Sequence, residues 1–215
     1  MEPIEKFECA GRTIEIEYDS NASEMNPRQD TDNSTTMICF HKRYNLGDEG
    51  HGYKWQDYNG WDELEAQIVK DHKPVIIMPL YLYDHSGITI STHSFNDHWD
   101  SGQVGFIYMT AKQIREWYGK KRITKGIKEK AEKCLLADVE VYDQYLRGEV
   151  YGYVITDENG EEDEADNGQS SSWGYFGLDS VKEEVKDIIE RWQKTPPKQN
   201  TVPPVDVAGQ TVMAI

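Results

Sequence analysis

Cysteine is scarce in this chain, and the three present, Cys9, Cys39 and Cys134, are odd in number and far apart. None stands in a CxxC pair, so neither a disulfide framework nor a zinc ribbon has its residues, and reduced, mostly buried thiols are expected. Long apolar runs are missing too. No stretch approaches the roughly 18 consecutive apolar residues of a membrane span, and the first residues, MEPIEKFECAG, lack a signal peptide's apolar centre. A cytoplasmic protein with no membrane contact is the expectation. Phosphate-cradling loops are also absent: there is no P-loop pattern and no usable GxGxxG.

Positive charge is the third shortage. The 215 residues hold 23 Lys and Arg against 39 Asp and Glu, a net charge of −16. The imbalance is uneven, because residues 111–133 carry nine bases and three acids, a net of +6, which leaves −22 on the remainder. Such a surface repels nucleic acid over most of its area and attracts cationic partners. Direct binding of duplex DNA is not expected. The apolar fraction, 37%, is low but enough for a core at this length, with one domain as the default.

Periodicity places the elements. Residues 5–18 read as two short strands around Gly11-Arg12, with Ile14, Ile16 and Tyr18 on one face. Residues 19–34 are turn chemistry, and Thr35–His41 is a continuous apolar run that reads as a central strand. The segment to Gly60 is a long ordered loop whose aromatics, Tyr44, Tyr53, Trp55 and Tyr58, need a surface to pack on. Trp61, Leu64 and Ile68 predict a helix that Pro74 stops. Val75–Tyr83 is the strongest strand, with Pro79 marking a bulge or an edge. Val104–Met109 is another.

Thr110 then caps a helix whose apolar side is Ile114, Trp117 and Tyr118, and Thr124–Arg147 predicts a longer one ended by Gly148. Val150–Thr156 and Trp173–Gly177 pair across an acidic excursion. Ser180 and Glu183 form a capping box for a last helix with the stripe Val181, Val185, Ile188 and Trp192. The pattern predicts an α+β fold, a mostly antiparallel sheet packed by helices on one side, as a single domain over 1–193. Residues 194–215, with four prolines and no periodicity, predict a disordered tail.

Three groups of residues invite chemistry. Asp84, His85, His98 and Asp100, with His93 nearby, hold metal-ligand types on a polar segment between two strands. Their spacings match no HExxH or HxH pattern, and Asp84 and Asp100 also suit turns before Ser86-Gly87 and Ser101-Gly102. Ser86 and Ser101 lack the surroundings of a nucleophile elbow. The Asp and Asn residues of the 19–33 loop supply hard oxygens, yet the EF-hand pattern fails there. Second, Asp157, Glu158, Glu161, Glu162, Asp163, Glu164 and Asp166 place seven carboxylates in ten residues around Asn159-Gly160. Like charges so close repel, which leaves either a solvated loop or an imitation of a nucleic-acid backbone. Third, Lys120, Lys121, Arg122, Lys125 and Lys128 form a basic patch with only Trp117 and Tyr118 as aromatic companions, a weak single-strand platform and an ordinary solvated helix face.

The stretches NPRQDTDN, MICFHKRYNLGDE, PLYLYDHSGITI and WDSGQVGFIYMT, with the helix KRITKGIKEKAEKCLLADVEVYDQYLRG, resemble an uncharacterised protein family of bacteriophages and mobile elements. The resemblance spans about residues 12–177, and His93–His98 departs from the shorter Ser/Pro/Cys-like sequence of that pattern. It implies a host-cell cytoplasmic setting and, by analogy, counter-defence. The leading expectation is a non-enzymatic accessory protein that needs no cofactor and inhibits a host nucleic-acid-handling defence protein. An anti-CRISPR or anti-restriction inhibitor would work partly by acidic mimicry through Asp157–Asp166. The alternative is a hydrolase or nuclease that uses a divalent metal at Asp84, His85, His98 and Asp100. A regulatory module acting through the basic helix is a third reading.

Overall fold

A computed structural model describes residues 2–29, 33–97 and 99–196. The fold is α+β, with two four-stranded antiparallel sheets and four α-helices among these residues. In chain order the elements are β1 (Glu5–Cys9), β2 (Arg12–Tyr18), β3 (Thr36–Cys39), α1 (Trp61–His72), β4 (Pro74–Asp84) and β5 (Ile88–Ser91). There follow β6 (Ser101–Thr110), α2 (Ala111–Tyr118), α3 (Lys125–Leu146), β7 (Val150–Thr156), β8 (Ser171–Phe176) and α4 (Leu178–Lys194). The described residues gather into two compact units: 2–17 with 152–173 and 179–196, and 18–151 with 174–178. The tail expected over 194–215 lies outside the described residues from 197 onward.

In the first unit β1 and β2 form a hairpin in which Glu5 faces Ile16 and Cys9 faces Arg12. Its two turn residues are Ala10 and Gly11, both at positive φ (52° and 74°), so the turn falls one residue earlier than expected. Primed turns of this kind match the twist of the paired strands. Arg12 is thereby the first residue of β2, and it is buried. The sheet runs in the order β1-β2-β7-β8. Ile14 and Ile16 are buried as their alternation requires, whereas Tyr18, on the same face by period, is exposed. The stripe Val181, Val185, Ile188 and Trp192 of α4 is buried throughout. That helix begins at Leu178, so Ser180 sits inside its first turn and not at the cap.

The second unit is built on the sheet β3-β6-β4-β5. Strand β6 is buried on both faces: Ile107 and Met109 join one cluster with Leu135, Val139 and Tyr142 of α3. Phe106 and Tyr108 join another with Leu64 and Ile68 of α1. Successive strand side chains point to opposite faces, so helices cover both faces of this sheet, where the sequence suggested one. The run 35–41 forms β3, and β3 lies at the edge of the sheet. A loop covers its outer side. The Asp48 carboxylate accepts from Met37 N at 2.9 Å, and Asp48 N donates to Met37 O at 2.8 Å. These bonds satisfy backbone groups that a bare edge would leave open.

Pro79 has a place for the same reason. The half of β4 that contains it pairs only with β6, and β5 joins from Tyr81 onward, past a register shift at Leu80/Tyr81. A missing N–H costs nothing on an unpaired side. The outer strand β5 is tied to α3, since Asp143 accepts from Ile90 N at 2.7 Å and from the Thr89 hydroxyl. Thr110 and Gln113 form a full capping box on α2, Lys73 closes α1 at φ 47°, and Gly148 follows α3 at φ 72°. On α2, Ile114 is buried while Trp117 is exposed.

Candidate functional site

The acidic excursion between β7 and β8 is a structured turn. Asp157 N donates to Glu161 O at 2.8 Å, and the Asp157 carboxylate accepts from Asn159 N at 2.8 Å and Glu161 N at 2.9 Å. Those backbone donors hold the Asp157 carboxyl below the usual carboxylate range, with Glu161 N the largest cause. Two of the seven carboxylates are used inside the fold. Arg12 Nε donates to Asp163 at 2.7 Å, both side chains about 6% exposed. Arg191 Nη2 reaches both oxygens of the buried Asp166, at 2.9 and 3.1 Å. Asp157 shapes the turn itself, and the remaining four, Glu158, Glu161, Glu162 and Glu164, are exposed, with Glu162 accepting from the Ser170 hydroxyl at 2.9 Å. Folding therefore selects Asp163 and Asp166 by itself, which charge counting along the sequence does not reveal.

The Asp84, His85, His98 and Asp100 set divides. Asp84 faces Arg43, the Tyr44 hydroxyl at 3.3 Å and His41 Nε2 at 3.9 Å. His85 Nδ1 pairs with Asp100 Oδ2 at 2.8 Å in an exposed position. His98 lies outside the described residues. Among the described residues no three His, Cys, Asp or Glu side chains converge where a metal ion could be held. Ser86 adopts a left-handed φ of 57°, and the Ser101 hydroxyl donates to Asp97 O. His93 sits exposed beside Thr92. In the 19–33 loop the oxygens shape the backbone: Asp19 accepts from Asn21 N and Gly174 N, and Asn26 accepts from Arg28 N. Asp30 and Asp32 lie outside the described residues.

Lys120, Lys121, Arg122, Lys125 and Lys128 are all exposed between α2 and the first turns of α3. Lys125 and Lys128 face Glu129 and Glu132 one turn away, at 3.8 and 4.0 Å. Exposed pairs of that kind contribute about 0–1 kcal/mol.

Sequence reasoning missed an open cleft of about 850 Å3 in the second unit. Its floor is the end of β3 and the start of β6, and its walls come from the 40–61 loop and the 99–103 segment. The loop is ordered by its rings. Trp55 packs on Trp61 with centroids 4.3 Å apart, and Phe40 lies 5.9 Å from Trp55 and 5.3 Å from His51. Trp61 in turn meets Phe106 edge-on at 6.1 Å, which ties the wall to the core. The Tyr53 hydroxyl donates to Asp71 of α1 at 3.0 Å, and burial with that bond raises its pKa. Trp99 also lines the cleft and is 96% exposed. The signal for this cleft was the aromatic density of residues 40–61; its pairing with 99–103 is not readable from spacing.

Two imidazoles in the cleft wall are set in one tautomer. Arg43 N donates to His41 Nδ1 at 3.3 Å, and Tyr53 N donates to His51 Nδ1 at 3.2 Å. With Nδ1 accepting, the ring proton sits on Nε2. Burial lowers both pKa values from 6.5, against Asp84 at His41 and Asp48 at His51. Both rings are therefore neutral donors at neutral pH. Cys39, at the cleft floor, is pushed up to about 12 by burial and is an inert thiol. No protein-family model, curated protein or solved structure matches this chain.

Proposed function

We propose that the protein is a non-enzymatic inhibitor that binds a nucleic-acid-handling protein, of the anti-restriction or anti-CRISPR type that its resemblance to phage and mobile-element proteins implies. The observation that carries this reading is the acidic hairpin, where Arg12–Asp163 and Arg191–Asp166 anchor the turn that presents Glu158, Glu161, Glu162 and Glu164 to solvent. A carboxylate-rich surface already held in shape loses less entropy on binding than a floppy one. It competes for a basic groove through the same counterion release that drives DNA binding. The net charge of −16 adds long-range attraction to such a groove.

The test is displacement of labelled duplex DNA from purified restriction and CRISPR nucleases, read by anisotropy at low and moderate salt. Inhibition that weakens with salt, and is lost when Glu158, Glu161, Glu162 and Glu164 are all changed to Lys, supports the proposal. Inhibition untouched by that fourfold reversal, or no inhibition of any nuclease tested, overturns it.

A further inference from the structure

The aromatic cleft is a second binding feature, independent of the acidic hairpin. Its chemistry is one-sided. The Arg43 guanidinium is bound to Asp84, and its carbon lies 5.3 Å from the Tyr44 ring centroid, so the acid on that wall is already neutralised. Asp100, which also lines the cleft, is engaged by His85. What the cleft still offers a visitor is mostly donors and ring faces: Nε2–H of His51, the exposed ammonium of Lys42, and the indoles of Trp55 and Trp99.

An indole that is 96% exposed forgoes the burial that Phe106, Tyr108 and Tyr142 of the same unit obtain. Tryptophan carries a large apolar area with a polar N–H, the combination that serves as an anchor in recognition. Donors, one exposed cation and stacking faces together suit a planar ligand rich in acceptors and bearing negative charge. A heteroaromatic base with a phosphate has those properties, because rings stack on its faces, donors meet its ring nitrogens and carbonyls, and an ammonium meets its phosphate. The cleft volume, about 850 Å3, lies in the range of small-molecule sites. The local cation matters more here than it would elsewhere, since the remaining surface is strongly acidic and would repel the same ligand.

We infer that this cleft binds a nucleotide, with the base stacked between Trp99 and the Trp55 wall and the phosphate at Lys42. This route needs no glycine-rich phosphate loop, which the chain lacks. The same chemistry is present in a free mononucleotide and in an exposed nucleotide of a single strand, so the two sources are separated by experiment.

Tryptophan fluorescence of the full chain is titrated with AMP, GMP, UMP, adenosine, and a short single-stranded oligonucleotide. Saturable quenching by a nucleotide, with adenosine weaker than AMP, is the expected result. The variants Trp99→Ala and Lys42→Glu, both at exposed positions, should each weaken binding roughly tenfold, the size of one lost stacking or phosphate contact. Saturation by mononucleotides assigns a free metabolite, and saturation only by the oligonucleotide assigns a strand end. The idea is overturned if no nucleotide or oligonucleotide saturates by about 1 mM, the scale of a very weak complex. Equal binding by both variants and the parent also overturns it. Circular dichroism of each variant confirms that the fold is kept. The fourfold hairpin reversal serves as the control and should leave nucleotide affinity unchanged.

Discussion

Arg12 and Asp163 stand 151 positions apart and meet at 2.7 Å with both side chains almost wholly buried. This contact fastens the acidic excursion to the first strand of its unit that follows a turn. A buried pair is a poor source of net stability but a strict one, because losing one partner leaves the other charge desolvated. Changing Arg12 to Met should cost about 3–5 kcal/mol in urea unfolding. The double variant Arg12→Met with Asp163→Leu should recover most of that loss. A single variant no less stable than the parent would mean that the pair does not hold the hairpin.

Core and rim should respond in opposite ways. Leu64 is fully buried between α1 and β6, and Leu64→Ala should destabilise by about 2–5 kcal/mol. Trp99 is larger yet almost fully exposed, and Trp99→Ala should leave the unfolding midpoint within about 0.5 kcal/mol of the parent. Chemical denaturation of the two variants checks both statements.

Glycine is required where two backbones touch. A Cβ at Gly105 would lie 1.9 Å from Ile38 O, so Gly105→Ala should open the β3–β6 pairing. At Gly152 the same atom would fall 2.1 Å from the Trp173 ring, and the ring must move. Amide exchange should show lost protection at Ile38 and Phe40, whose N–H groups face β6, in the first variant. In the second, a shifted Trp173 emission is the expected sign.

Acid should loosen the cleft wall. His51 has its pKa lowered from 6.5 by burial beside Phe40 and Tyr53, with Asp48 opposing the shift. The unfolded chain then binds more protons than the folded one between the lowered value and 6.5. Stability from this group is complete above about pH 6.5 and is lost as pH falls through the folded value. His51→Gln should flatten the decline in unfolding midpoint between about pH 7.5 and about pH 5.5. An identical slope in parent and variant would remove His51 from the account.

Much of the scaffold follows from residues acting locally. The capping box of Thr110 and Gln113, the stripe of α4, the stop before Pro74 and the alternation of Ile14 with Ile16 depend on near neighbours. Period, capping and φ preference are short-range effects, so the sequence alone determined that these elements exist and which faces they bury. The acidic excursion was legible as a turn around Asn159-Gly160 for the same reason.

Long-range pairing was decided only by the tertiary structure. The run 35–41 is apolar enough for a sheet centre, yet it lies at an edge because Asp48 and Gly47 cover its outer side. The carboxylates of Asp163 and Asp166 look like their neighbours along the chain, and only the arrival of Arg12 and Arg191 separates two structural acids from four exposed ones. The aromatic cleft exists because 40–61 and 99–103 converge on one end of β6. Burial, charge compensation and cavity shape are properties of positions in space, and a chain read in one dimension contains the residues for them but not the distances.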